Sequence, residues 1–182
     1  DALYMAPAVW VQLYRVTGDP VYLYEMNRMF WETTDYLFNP TDGLFYRDNR
    51  FFTRRTDNGK NVYWGRGNGW VYAAFPEILP YLPEDFADGP RYRSLYLTMT
   101  DALVERQRPD GFWPASLEDP SFGDHGESSA TAFNTYGLAW GIRAGLLNRE
   151  DYLPIVLKAW WAMASRVTED GRFIGVQSVA AE

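Results

Sequence analysis

Asp1, the run Trp64-Gly65-Arg66-Gly67-Asn68-Gly69-Trp70 and the run His125-Gly126-Glu127-Ser128-Ser129 hold the residue types of this chain best suited to chemistry. A carboxyl group can donate a proton in one step and take one back in the next. An arginine between two tryptophans offers a fork of donors to a carboxylate, flanked by flat apolar faces. Each cluster also has a purely structural reading. Asp1 suits the positive end of a helix, Asn68 suits an N-cap with glycines around it for unusual dihedrals, and Glu127 before two serines suits a cap as well. His125 is the only histidine, so no His-rich metal site can form, and the absence of cysteine removes thiolate catalysis and Cys-based zinc sites.

Charge adds a second signal. Arg47, Arg50, Arg54, Arg55, Lys60 and Arg66 fall within residues 47–66, against Asp48 and Asp57 alone, although the whole chain carries a formal charge of −7. The acidic balance argues against nucleic acid as the partner, since phosphate binding needs a basic face. A local cluster of guanidinium groups near helix N-termini instead suits a small carboxylate ligand. The flanking Trp and Tyr residues would supply flat platforms for sugar rings; the competing reading is a solvated loop with scattered countercharges.

Something must bring these clusters together, and the helix pattern does so. Apolar residues at helical spacing predict helices over 2–16, 20–38, 68–82, 90–107, 128–147 and 149–168. Pro76 is expected to kink the third. Short ladder pieces are expected at Phe45–Arg47, Val62–Trp64 and Phe112–Trp113. A Tyr-bearing opening recurs at Tyr22, Tyr92 and Tyr152, and an Asp-Gly turn at Asp42-Gly43, Asp110-Gly111 and Asp170-Gly171, roughly 60 to 70 residues apart. That period is one helical hairpin, which cannot bury its apolar face alone, so the repeat implies an all-α toroid or solenoid. Connections near Gly18, 83–89 and Asn148 are short, whereas 39–67 and 108–127 are long. Antiparallel helices alternate direction, so both long loops and the starts of helices one, three and five share one rim. Asp1, Arg66 and Glu127 are all expected there.

Composition is that of a folded protein, 47% hydrophobic and 18% aromatic, read as a single domain over 1–182. Polar residues interrupt every helix-like stretch before it reaches membrane length, which suits a soluble protein; the compartment is left open between a bacterial-type cytoplasm and periplasm. The sequence opens at Asp1 already inside a helical pattern and reads as a piece of a longer one.

The runs Asp1-Ala2-Leu3-Tyr4-Met5-Ala6-Pro7, Asp42-Gly43-Leu44-Phe45-Tyr46, Trp64 to Trp70 and Tyr136-Gly137-Leu138-Ala139-Trp140-Gly141 resemble glycoside hydrolase family 105, the unsaturated rhamnogalacturonyl hydrolases, and the related family 88. The likeness continues to Gly175-Val176-Gln177. It implies a six-hairpin α/α barrel, of which this chain holds about three hairpins, leaving exposed apolar edges. It also implies a glycosidase that removes a 4,5-unsaturated uronic acid from the non-reducing end of pectin-derived oligosaccharides. In that chemistry an acid protonates C4 of the vinyl ether, water adds at C5, and the hemiketal collapses, with neither metal nor cofactor. The resemblance assigns the acid to Asp1. It places Arg66 on the uronate carboxylate, Trp70 on the ring and Met5 at the pocket border, with Trp64 and Glu127 also in the substrate site. Where the family often has His after Leu-Phe-Tyr, this chain has Arg47, which implies a pocket of different polarity and substrate size. Rival readings are a carbohydrate-binding helical repeat without chemistry, and another α/α-barrel enzyme such as a lyase or an epimerase; an epimerase's need for His bases sits poorly with a single histidine.

Overall fold

The computed structural model describes residues 1–122 and 126–178. Six helices dominate: α1 (Ala2–Thr17), α2 (Val21–Leu37), α3 (Gly65–Ile78), α4 (Gly89–Val104), α5 (Ser128–Arg143) and α6 (Arg149–Ala164). They form three hairpins. Helix α3 packs between α1 and α5 to make an inner layer, while α2, α4 and α6 lie behind their partners. The three inner helices therefore start at one rim, as the alternation of short and long loops requires. No helix among the described residues is long and apolar enough to cross a membrane.

Aromatic residues fill the space between the layers. Tyr72 of α3 stacks on Tyr96 of α4 with centroids 5.1 Å apart, and their hydroxyls meet Thr100 and the Gly137 carbonyl. Phe30, Trp31 and Tyr92 join α2 to α4. Outside this core, apolar side chains stand exposed at both ends of the arc, including Val9, Val16 and Tyr24 at one end and Leu157, Trp160 and Trp161 at the other.

Helices four, five and six end earlier than periodicity predicts. In each case the chain continues as tight turns closed by i→i−3 hydrogen bonds, such as Arg106 to Leu103, Gly145 to Ile142 and Val167 to Ala164. The apolar spacing persists while the α-helical ladder has already stopped. Two-residue strands β1 (Phe38–Asn39) and β2 (Leu44–Phe45) pair antiparallel, joined through the Asp42-Gly43 turn with Gly43 at φ 67°. Of the other expected ladder pieces, Trp64 bridges Ser116 and Trp113 bridges Glu127 as isolated pairs.

Candidate functional site

Asp1 is the N-cap of α1. Its carbonyl accepts the amides of Tyr4 and Met5, both at 3.0 Å, while its carboxylate makes no cap hydrogen bond. The side chain opens onto a cleft lined also by Tyr46, Arg47, Trp64, Gly67 and Asn68. Of the expected site residues, Arg47 and Trp64 join Asp1 in this cleft, whereas Met5, Arg66, Trp70 and Glu127 are not among the residues that line it. Met5, one helical turn on, is half exposed.

The Trp64–Trp70 run differs from its expected role. It is the first turn and a half of α3, not a loop before it, and Trp64 rather than Asn68 is the N-cap. Asn68 is buried inside the helix because its amide serves another partner. Its Oδ1 accepts the Phe45 amide at 2.8 Å and its Nδ2 donates to the Phe45 carbonyl at 3.0 Å, so it completes the free edge of β2. Gly65 is demanded by close approach: a Cβ there would lie 2.3 Å from the Pro114 carbonyl oxygen. Trp70 wedges between the inner helices, with Tyr4 of α1 at 4.8 Å and Phe133 of α5 at 4.1 Å between centroids. Arg66, one turn before Trp70, donates to the carbonyls of Gln177 at 2.8 Å and Ser178 at 3.0 Å and lies 4.9 Å from the Trp64 ring.

Glu127 caps α5. Its carboxylate accepts from the amides of Ser129 and Ala130, from the Ser129 hydroxyl and from the Gln177 amide, and it is 4% exposed. Both oxygens are committed to the protein's own donors. His125, two residues earlier, lies outside the described residues.

The basic loop resolves into separate tasks. Arg50 pairs with Asp48, Arg54 lies over Phe51, and Arg55 donates to the carbonyls of Phe52 and Arg54. Arg47 stands 3.8 Å from Asp48 and 5.8 Å from the Trp64 ring and faces the Asp1 cleft. Arg47 and Arg66 are therefore the two members flanking Trp64.

Behind Arg47, Asp42 anchors the hairpin. One of its oxygens accepts from Tyr63 at 2.5 Å, Asn61 at 2.7 Å and Asn39 at 3.1 Å. Burial pushes its carboxyl upward, but the hydrogen bonds from Tyr63 and Asn61 and the charges of Arg106 and Lys60 outweigh that and hold it below the ordinary 3.8. The stability this supplies is present above pH 3.8 and is lost as pH falls through the lower folded-state value. Asp42→Asn should cost about 1–3 kcal/mol at neutral pH, from hydrogen bonds to a charged group. Thermal unfolding across an acid series should show that gap closing below pH 3.8; a gap independent of pH would mean the carboxylate charge is irrelevant.

Sequence reasoning passed over Tyr4, Tyr46, Phe133 and the side chain of Gln177. Phe133 had a readable signal: it is the sixth residue of α5, as Trp70 is the sixth of α3. The same offset aligns Ser129 with Arg66 and Glu127 with Trp64.

An arc of helical hairpins, with long loops, a carboxylate that caps nothing and packed aromatic rings gathered at one rim, defines a sector of an α/α toroid. The chain belongs to Glycosyl Hydrolase Family 88, whose sequence profile matches residues 1–182. It is 48% identical over 98% of its length to an unsaturated 3S-rhamnoglycuronyl hydrolase of Alteromonas sp. (strain LOR), covering 43% of that relative. A protein of the same name from Formosa agariphila is 40% identical over the whole chain, which covers 50% of it. Among solved structures, a glycosyl hydrolase family 88 protein from Bacteroides vulgatus superposes with a TM-score of 0.96 at 37% identity, over 100% of this chain and 53% of that one. The chain spans about half the length of the curated relatives it matches.

Proposed function

We propose that this chain carries the acid-bearing rim of a glycosidase that removes a 4,5-unsaturated uronic acid from the non-reducing end of an acidic oligosaccharide of the kind a pectin lyase leaves. The names of the two relatives above favour rhamnose as the sugar released. The observation that carries the reading is the placement of Asp1: a carboxyl group without a cap role opens on a cleft walled by Arg47 and Trp64.

Each group has a task in this chemistry. Asp1 donates its proton to C4 of the vinyl ether, which leaves C5 cationic and stabilised by the ring oxygen. Water adds at C5 and returns a proton to the Asp1 carboxylate, so one group serves twice. The C5 hemiketal then breaks its bond to the ring oxygen, giving a ketone at C5 and leaving that oxygen as a hydroxyl on C1. This C1 hemiacetal collapses to an aldehyde as its hydroxyl proton passes to the oxygen of the departing sugar. Arg66 and Arg47 hold the carboxylate on C5 from either side of Trp64. Trp70, flanked by Tyr4 and Phe133, supplies a flat apolar wall, with Met5 at its border. Glu127 serves this site as the cap that fixes the start of α5.

The direct test follows loss of the vinyl ether absorbance when the protein meets unsaturated uronate disaccharides. Arg66→Ala should raise KM by about tenfold or more, since a charge-assisted hydrogen bond is worth about 1.5–3 kcal/mol. Arg54→Ala should raise it by less than about fivefold, because an exposed pair is worth about 0–1 kcal/mol. Equal effects would mean that the loop acts only as a diffuse positive field.

A further inference from the structure

Residues 173–178 follow the last helix and return across the rim as a strap that nothing in the chemistry above uses. The strap is first fastened to α5. The Ser128 amide donates to the Gly175 carbonyl at 3.1 Å and the Ser128 hydroxyl to the Ile174 carbonyl at 2.9 Å. Arg166 ties the strap's base down: its carbonyl accepts the Ile174 amide at 3.1 Å, and its guanidinium donates to the Gly126 carbonyl at 2.7 Å and the Ser128 hydroxyl at 2.9 Å at the start of α5. Gly175, at φ 79°, is where the strap crosses Arg166: a Cβ there would fall 2.2 Å from the guanidinium. Beyond it the strap reaches α3 through Gln177 and through the Ser178 carbonyl, which accepts from Arg66 at 3.0 Å. The Gln177 amide donates to Glu127 at 3.1 Å, its side-chain oxygen accepts the Trp64 indole N–H at 2.9 Å, and its carbonyl accepts from Arg66 at 2.8 Å.

We infer that Gln177 is a positioning residue for the uronate end of the site, fixing Trp64 and Arg66 in the orientation that meets the substrate carboxylate. The inference rests on the hydrolase reading for what is positioned, but its geometry is independent of it. Arginine loses considerable rotamer freedom on being fixed, and a site that fixes it beforehand does not bear that cost on binding. Arg66 has five N–H donors, of which the strap carbonyls take two. No other hydrogen-bond acceptor meets Arg66 among the described residues. Trp64 needs a similar restraint, because a single hydrogen bond from its indole sets which face it turns to Arg47 and Arg66. Gln177 supplies that bond while its own backbone is pinned by the α5 cap, so the two inner helices are registered at the point where the carboxylate would sit.

Two variants test this. Gln177→Ala removes the acceptor for Trp64 and should raise KM for an unsaturated uronate disaccharide about three- to tenfold, the worth of one net hydrogen bond, with kcat within about twofold of wild type. Gln177→Glu keeps an acceptor for the indole but sets a carboxylate beside Arg66. It should raise KM further, and the added increment should shrink as salt is raised. The readout that a merely structural role would not move is the Trp64 indole N–H resonance in ¹⁵N-tryptophan-labelled protein, assigned with Trp64→Phe. It should shift in Gln177→Ala and stay close to wild type in Gln177→Glu. An unchanged indole resonance in Gln177→Ala overturns the inference, and so does a loss of kcat with KM unmoved. Should the alanine variant fail to fold, the KM and salt response of Gln177→Glu decide the matter. A wild-type protein that neither binds nor turns over the disaccharide would refute the hydrolase reading, and the indole resonance would still decide what Gln177 holds.

Discussion

Asp1→Asn is expected to lower turnover of an unsaturated uronate disaccharide by about 10²–10⁴-fold or more, with KM close to wild type. The amide preserves size and some hydrogen bonding but cannot donate a proton to a vinyl carbon or recover one from water. Binding should survive because the proposed function gives the substrate carboxylate to Arg66 and Arg47 and its ring to Trp70, none of which the substitution touches. Folding should survive too. The Asp1 carboxylate makes no cap hydrogen bond, so only its favourable interaction with the helix dipole is lost, about 0.3–1 kcal/mol. Steady-state kinetics beside a thermal melt separates these effects. A folded Asn variant that keeps more than about a tenth of wild-type kcat falls short of the loss a general acid should produce and would assign the proton to another group.

How much of this was legible follows from the range of each interaction. Helix periodicity and loop length act within one hairpin, and from them the six helices, their alternation and the shared rim of Asp1, Trp64 and Glu127 could be read before any coordinates. Cap positions were harder. Asn68 has a residue type that suits an N-cap, and only its pairing with Phe45, 23 residues away, shows why it sits inside α3 instead. The Arg66 side chain looked free in sequence because its partners, Gln177 and Ser178, lie 111 and 112 residues further on. Likewise the six basic residues of the 47–66 loop could not be sorted by composition. Arg50 is drawn to Asp48 by a two-residue contact, whereas Arg47 reaches the cleft because the Phe38–Phe45 pairing turns the chain there. Phe133 was within reach, since α3 and α5 repeat the same register, but its role as the far wall of Trp70 depends on the two helices packing side by side.

Glu127 is the residue for which a structural and a ligand-binding role give opposite results, and Glu127→Ala should decide between them. The substitution leaves the amides of Ser129, Ala130 and Gln177 without their acceptor, that of Ala130 in a buried place. Loss of a cap costs about 0.5–2 kcal/mol, and a buried donor left unpaired about 1–3 kcal/mol. Together these should destabilise the protein by about 2–4 kcal/mol. For a chain of this size that is a fall of roughly 5–15 °C in Tm, measured by helical circular dichroism. KM should also rise, because the Gln177 amide loses its tie to the α5 cap, leaving the strap fastened there through Ser128, and Gln177 holds Trp64 and Arg66 less firmly in register. The order of effects is the test. A carboxylate that touched substrate would, when removed, change KM at an unaltered Tm. A cap must lower Tm first, and Glu127→Gln, which keeps one acceptor oxygen for the α5 amides, should recover part of both losses together.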